Sequence, residues 1–157
     1  MFTVTKTYRD FPASHRQPTH KGHCRLIHGH NWGWDITFGC AVLDSNGFVV
    51  DVGQLARVRR FLEEKFDHTL LLNESDPLLP ELRRVLEDGF NEAGIKLAKI
   101  LLVPNCGMEG LAKYVFDEVT FMIPMLTEDA GPTNELGLHV VEVTCWEDSK
   151  NRATYKP

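Results

Sequence analysis

The chain has 157 residues, 43% of them hydrophobic and 25% charged, and a formal net charge of −5. That composition is the ordinary one for a globular domain and speaks against disorder; the acidic balance makes non-specific nucleic-acid binding a poor fit, because such binding needs a basic surface. The length suits one domain, 1–157, with one core, and no run approaches the ~18 apolar residues of a membrane span.

Along the chain, MFTVTKTYRDF alternates apolar and polar residues and predicts a first strand. Residues 12–27 mix proline, glycine and histidine without a period and read as a long loop, of the kind that tends to be functional. From His28, HGHNWGWDITFGCAVLD alternates again; with a turn at DSNG (44–47) and a return strand at FVVDV, it predicts a hairpin over 28–52. GQLARVRRFLEEKF sets Leu55, Val58, Phe61, Leu62 and Phe66 at helical spacing.

After Phe66 the chain reads as a loop and then a shorter helix starting near Asp76-Pro77. LAKILLVP predicts a strand. GMEGLAKYVFDEVTFMIPML predicts an amphipathic helix with Leu111, Val115, Val119 and Met122 on one face. DAGPTNELG is a turn-rich connection, LHVVEVTCWE a last strand, and DSKNRATYKP a tail. The order predicts an α+β domain, an antiparallel sheet with helices on one face.

Cys24, Cys40, Cys106 and Cys145 are scattered and form no Cys-x-x-Cys. A disulfide framework is not expected; with no signal-peptide core at the N-terminus, the chain reads as a reduced, cytoplasmic protein. The stretch GHCRLIHGHNW stands out. Residues two apart on a strand face the same way, so His28 and His30 project side by side, two legs of a tetrahedral zinc site. Loop histidines are commonly solvated and inert, and the pair alone does not establish a metal. A third ligand has three candidates, His15, His20 and His23. Cys24 lies in a polar loop beside Lys21, His23 and Arg25, a poor place for core packing and a suitable one for a thiolate.

Four stretches together resemble the 6-pyruvoyl-tetrahydropterin synthase family: FPASHR (11–16), CRLIHGHNW (24–32), FDHTLLLN (66–73) and WEDSKNRATY (146–155). The family's motifs run, roughly and in this order, Phe-x-Ala-x-His, Cys-x3-HGHN, Leu-Asp-His-x-x-Leu-Asn and Glu-Thr-x4-Ala-x-Tyr. The three-residue spacer between Cys24 and HGH resembles the 6-carboxy-tetrahydropterin synthase branch. The resemblance implies His15 as third zinc ligand beside His28 and His30, Cys24 as the catalytic cysteine, and Asp67-His68 as the proton relay. It also implies Glu147 as the carboxylate that grips the pterin, with Glu109 holding a second substrate-binding place. A carboxylate suits that task, since it accepts two adjacent ring N–H groups at once. His20 and His23 are then left as loop residues.

The expected reaction converts 7,8-dihydroneopterin triphosphate to 6-carboxy-tetrahydropterin, acetaldehyde and triphosphate, in queuosine-type 7-deazapurine synthesis. Lys21, Arg25 or other basic residues would meet the triphosphate. The fold implied is the tunnelling fold, a four-stranded antiparallel sheet with two long helices on one face. Its subunits close into trimeric barrels that stack as a hexamer. The chain departs from the family at NCGMEG (105–110), where Asn-Pro-Thr-x-Glu-Asn is usual, and at Asp148, which stands where threonine is usual. These departures keep other readings open: a 6-pyruvoyl-tetrahydropterin synthase or other pterin side-chain lyase, a non-catalytic pterin- or zinc-binding homologue, or a closed structural zinc site with Cys24 as fourth ligand.

Overall fold

The computed structural model describes residues 1–87, 95–126 and 137–157. Six strands make one sheet: β1 (Phe2–His15), β2 (His28–Cys40), β3 (Thr69–Asn73), β4 (Lys99–Val103), β5 (His139–Trp146) and β6 (Arg152–Tyr155), in the order β4-β3-β1-β2-β5-β6. Among the described residues three α-helices accompany them: α1 (Ala56–Phe66), α2 (Leu79–Leu86) and α3 (Met108–Met122). The α+β class holds, and α1 and α3 share one apolar core with the sheet.

Among the described residues the sheet is six-stranded and mixed, where a four-stranded antiparallel one is expected. The β1-β2-β5-β6 portion is antiparallel. β3 lies parallel to the end of β1, and β4 parallel to β3. Residues 69–73, part of the expected loop, form β3 because all five side chains are buried. A strand covered on both faces reads as an unbroken apolar run and lacks alternation. The expected tail supplies β6, paired with β5 from Val143–Tyr155 to Trp146–Arg152.

The expected hairpin over 28–52 has its turn but no return strand. Asp44 Oδ1 accepts from the N–H of Asn46 and Phe48, and Gly47 takes a positive φ of 79°. Residues 48–52 form no strand; Val50 is tucked into the core, and β2 pairs with β1 and β5. The first strand runs on through Pro12 to His15, so the loop begins at Arg16 and holds a short 3-10 turn at His23–Arg25. The helix near Asp76-Pro77 forms, with Asp76 Oδ1 accepting from the Leu78 N–H. Of DAGPTNELG, 129–136 lies outside the described residues.

A bulge in β1 decides where the site lies. Tyr8 opposes Trp34 and Phe11 opposes Trp32, so Arg9 and Asp10 together face Gly33. Asp10 takes a φ of 72°, and Asn31 Nδ2 donates to its carboxylate at 3.0 Å. The extra residue switches the inward set from even to odd numbers. Tyr8, Phe11, Ala13 and His15 are therefore all buried on the helix-covered side.

Candidate metal centre

The bulge places His15 directly opposite His28 and Ala13 opposite His30. Cross-strand partners share a face. His15, His28 and His30 thus converge, and one ligand atom of each lies within 4.8 Å of the others. Trp32 forms the floor, its ring 5.0 Å from His15 and 5.5 Å from His30, both edge-to-face.

Backbone carbonyls fix the rings. His15 Nδ1 donates to the Cys106 carbonyl at 2.8 Å and His28 Nδ1 to the Leu26 carbonyl at 2.7 Å. A carbonyl can only accept, so each Nδ1 carries the hydrogen and each Nε2 presents a lone pair. Those two Nε2 atoms stand 3.1 Å apart. Two lone pairs at that distance repel unless a proton or a cation lies between them. His30 Nε2 is buried without an aligned hydrogen bond. Burial, reinforced by the two neighbouring imidazoles and opposed by the Cys106 carbonyl, lowers His15 to about 4, so it is neutral near pH 7. Neutral imidazoles with a fixed tautomer are the form that ligates metal. The set fits a zinc-type ion.

Glu147 stands at the end of β5, and its Oε1 lies 3.5 Å from His15 Nε2 and 3.4 Å from His30 Nε2. The turn behind it is closed by Asp148, whose Oδ1 accepts from the N–H of Lys150 and Asn151 at 2.6 Å each. These bonds lower the Asp148 pKa. The residue that replaces threonine here therefore builds the turn that carries Glu147.

The NCGMEG stretch has its own logic. Cys106 is buried, donates its N–H to Asn73 Oδ1 at 2.7 Å and its thiol to the Arg16 carbonyl at 3.1 Å. Burial pushes that thiol up, so it is a poor nucleophile. A side chain at Gly110 would meet the Asn105 backbone at 2.2 Å, so only glycine fits. Gln17 links Asn73 and Asn105 at 3.3 Å each. Asn73 and Gln17 hold the carbonyl that orients His15; a backbone acceptor leaves no signature in a sequence, so only the Asn73 in FDHTLLLN hints at it.

The remaining expected residues, Cys24, Glu109, Asp67 and His68, fall outside the three-histidine group. Cys24 sits half-buried in the 3-10 turn, and Glu109 lies in the first turn of α3 beside Asn105, lining a cavity of about 400 Å³. Asp67 and His68 lie at the other side of β1. Asp67 Oδ1 bonds His68 Nδ1 at 2.9 Å, and the His68 side chain is 82% exposed. His68 has a φ of 52° and lines a cavity of about 580 Å³ with Ser14, His30, Asn31 and Leu70.

The fold is shared with solved proteins of low identity. A Wolinella succinogenes protein described as uncharacterized matches at a TM-score of 0.77 and 21% identity, covering 99% of this chain and 97% of that one. The 6-pyruvoyl tetrahydropterin synthase of Plasmodium falciparum matches at 0.63 and 13% identity, covering 99% and 98%. The sequence goes further: the description of the family named 6-pyruvoyl tetrahydropterin synthase matches residues 3–157, and the chain belongs to that family. Among its curated relatives, the 6-carboxy-5,6,7,8-tetrahydropterin synthase of Aquifex aeolicus is 28% identical over 170 residues, 98% of this chain and 96% of the relative. The Rickettsia typhi protein of the same name is 35% identical over 68 residues, 43% and 49% respectively.

Proposed function

We propose that the chain is a zinc-dependent 6-carboxy-tetrahydropterin synthase acting as a single 1–157 domain on 7,8-dihydroneopterin triphosphate, with 6-carboxy-tetrahydropterin, acetaldehyde and triphosphate as products. The observation that carries this reading is the convergence of His15, His28 and His30 on one point, in a chain whose family match runs from residue 3 to 157. Bound there, zinc would supply Lewis-acid polarisation of the substrate's side-chain oxygens.

The chain's own residues do the rest. Glu147 accepts two ring N–H groups and sets the register of the reacting carbons. Glu109, at the start of α3, is the second substrate-binding carboxylate. Cys24 moves a proton at the carbons beside the ring. Asp67 holds His68 Nδ1, which leaves His68 Nε2 as the group that gives or takes a proton.

His68 is too exposed to serve as a relay alone. We place it in the site of another copy, within a hexamer of two stacked trimers. Open edges support that assembly. Among the described residues β3 pairs with β1 only from Ala13 to His15, and β6 ends the sheet. Unpaired edges of this kind invite pairing with another chain. Buried free thiols at Cys40, Cys106 and Cys145 fit a reduced, cytoplasmic setting. The queuosine-type pathway is proposed from the likeness to 6-carboxy-5,6,7,8-tetrahydropterin synthases. No described helix is long and apolar enough to cross a membrane.

The test is product analysis. Zinc-loaded protein is incubated with dihydroneopterin triphosphate and the products are identified by mass spectrometry, with Cys24→Ala in parallel. 6-Carboxy-tetrahydropterin and acetaldehyde, lost in the variant, are expected. A pyruvoyl product would move the assignment to the sister reaction, and binding without turnover would make the chain a pterin-binding homologue.

A further inference from the structure

The position of Glu147 has a consequence for the metal itself. Glu147 follows Val143 and Cys145 on the same face of β5. Its backbone N–H bonds the Asn151 carbonyl at 3.1 Å, extending the β5–β6 ladder past Trp146. The Asp148 side chain then locks the turn, with Asn151 Nδ2 also donating to it at 3.0 Å. The carboxylate is thus carried on a braced hairpin end and turned towards the histidines.

The distances identify the contact. A hydrogen bond from imidazole nitrogen to carboxylate oxygen spans about 2.7–3.2 Å. Two ligands of one tetrahedral zinc, each bonded at about 2.0–2.1 Å, stand roughly 3.3–3.4 Å apart. Glu147 Oε1 lies 3.5 Å from His15 Nε2 and 3.4 Å from His30 Nε2. Those separations are long for hydrogen bonds and match two edges of a coordination tetrahedron.

We propose that Glu147 is the fourth protein ligand of the metal in the substrate-free enzyme, and that it leaves the metal when a pterin ring is seated. This rests on the metal centre proposed above. Anchoring the ring takes both carboxylate oxygens, one for each of two adjacent N–H donors. The same side chain cannot hold the ring and complete the tetrahedron. Seating the ring therefore opens the fourth position at the moment the substrate's side chain is there to fill it. In the idle enzyme the position is closed to water, so no activated hydroxide stands ready for unwanted hydrolysis.

The test uses the full-length protein loaded with cobalt as a spectroscopic stand-in for zinc, and zinc affinity measured by chelator competition. Wild type and Glu147→Gln are compared, each with and without pterin, the ring lacking a side chain. Zinc affinity in the substrate-free state is expected to fall about tenfold or more in Glu147→Gln, in the range that loss of metal-site support brings. The cobalt visible spectrum of the variant is expected to differ from wild type. Adding pterin should shift the wild-type spectrum towards that of the variant and leave the variant unmoved. The wild-type pterin arm stands even if the substitution harms folding. Equal zinc affinity with identical cobalt spectra would overturn the proposal while leaving the three-histidine centre intact. A pterin addition that leaves the wild-type spectrum unchanged would overturn the exchange. A wild-type chain that binds no stoichiometric metal would remove both this inference and the metal centre beneath it.

Discussion

The histidine cluster and the Asp67-His68 pair lie on either side of the end of β1, and they are built in opposite ways. The cluster is assembled by sheet register. His15 opposes His28, His30 opposes an alanine, and backbone carbonyls hold two of the rings. It is complete within one chain. The Asp67-His68 pair is a local contact between sequence neighbours, open to solvent, in a cavity that His30 also lines. The difference teaches that the metal-holding half of the proposed machinery belongs to the fold of the single chain. The proposed proton-moving half stands open to solvent in that chain, and on our reading a second copy completes it.

The largest expected effect breaks the first half. His28→Ala should weaken metal binding by more than about 100-fold, read by metal content after dialysis, with the fold retained by circular dichroism. His68→Ala should behave oppositely: full metal content, with turnover lower by about 10²–10⁴. Mixing the two inactive variants by co-expression sharpens the contrast. If the pair serves a neighbour's cluster, mixed oligomers regain a measurable fraction of activity; if each chain works alone, they regain none.

A smaller effect is expected from the loop that supports His15. In Gly110→Ala the new methyl would collide with the Asn105 backbone, which must shift. Thermal unfolding should show a loss of roughly 1–3 kcal/mol, with weaker metal binding because the Cys106 carbonyl moves with the loop. The Asp67-His68 pair should be unaffected.

The smallest effect concerns pH. His15 in the metal-free chain has its pKa lowered to about 4, chiefly by burial, against about 6.5 unfolded. The folded state therefore resists protonation. Its contribution to stability is fully present above about 6.5 and is lost as pH falls through about 4. Metal-free wild type should lose stability across that window more steeply than His15→Gln, measured by denaturant titration at several pH values.

Much of the site is legible in the sequence because its parts are local. His28 and His30 are two apart on a strand, and Asp67 and His68 are adjacent. His15 is different. Strand alternation from MFTVTKT puts even residues inside, and His15 joins the inward set only because the bulge at Arg9 and Asp10 shifts parity by one. Nothing in the local pattern marks that bulge, and the family resemblance alone places His15. The fold is less legible. TLLLN has no alternation because parallel neighbours and the core bury all five residues. RATY pairs as β6 because a braced turn at Asp148 returns it to β5. FVVDV alternates well enough for a strand, yet β2 already has a partner on each side, so no edge is left for it.

The most direct measurement of the central claim is turnover against metal occupancy. Metal is stripped from the protein with a chelator, zinc is added back in steps, and acetaldehyde release from dihydroneopterin triphosphate is followed. The account predicts no release from the stripped protein, a linear rise, and a plateau at one zinc per chain, with His28→Ala flat throughout. Full turnover by the stripped protein, or by His28→Ala, would contradict it.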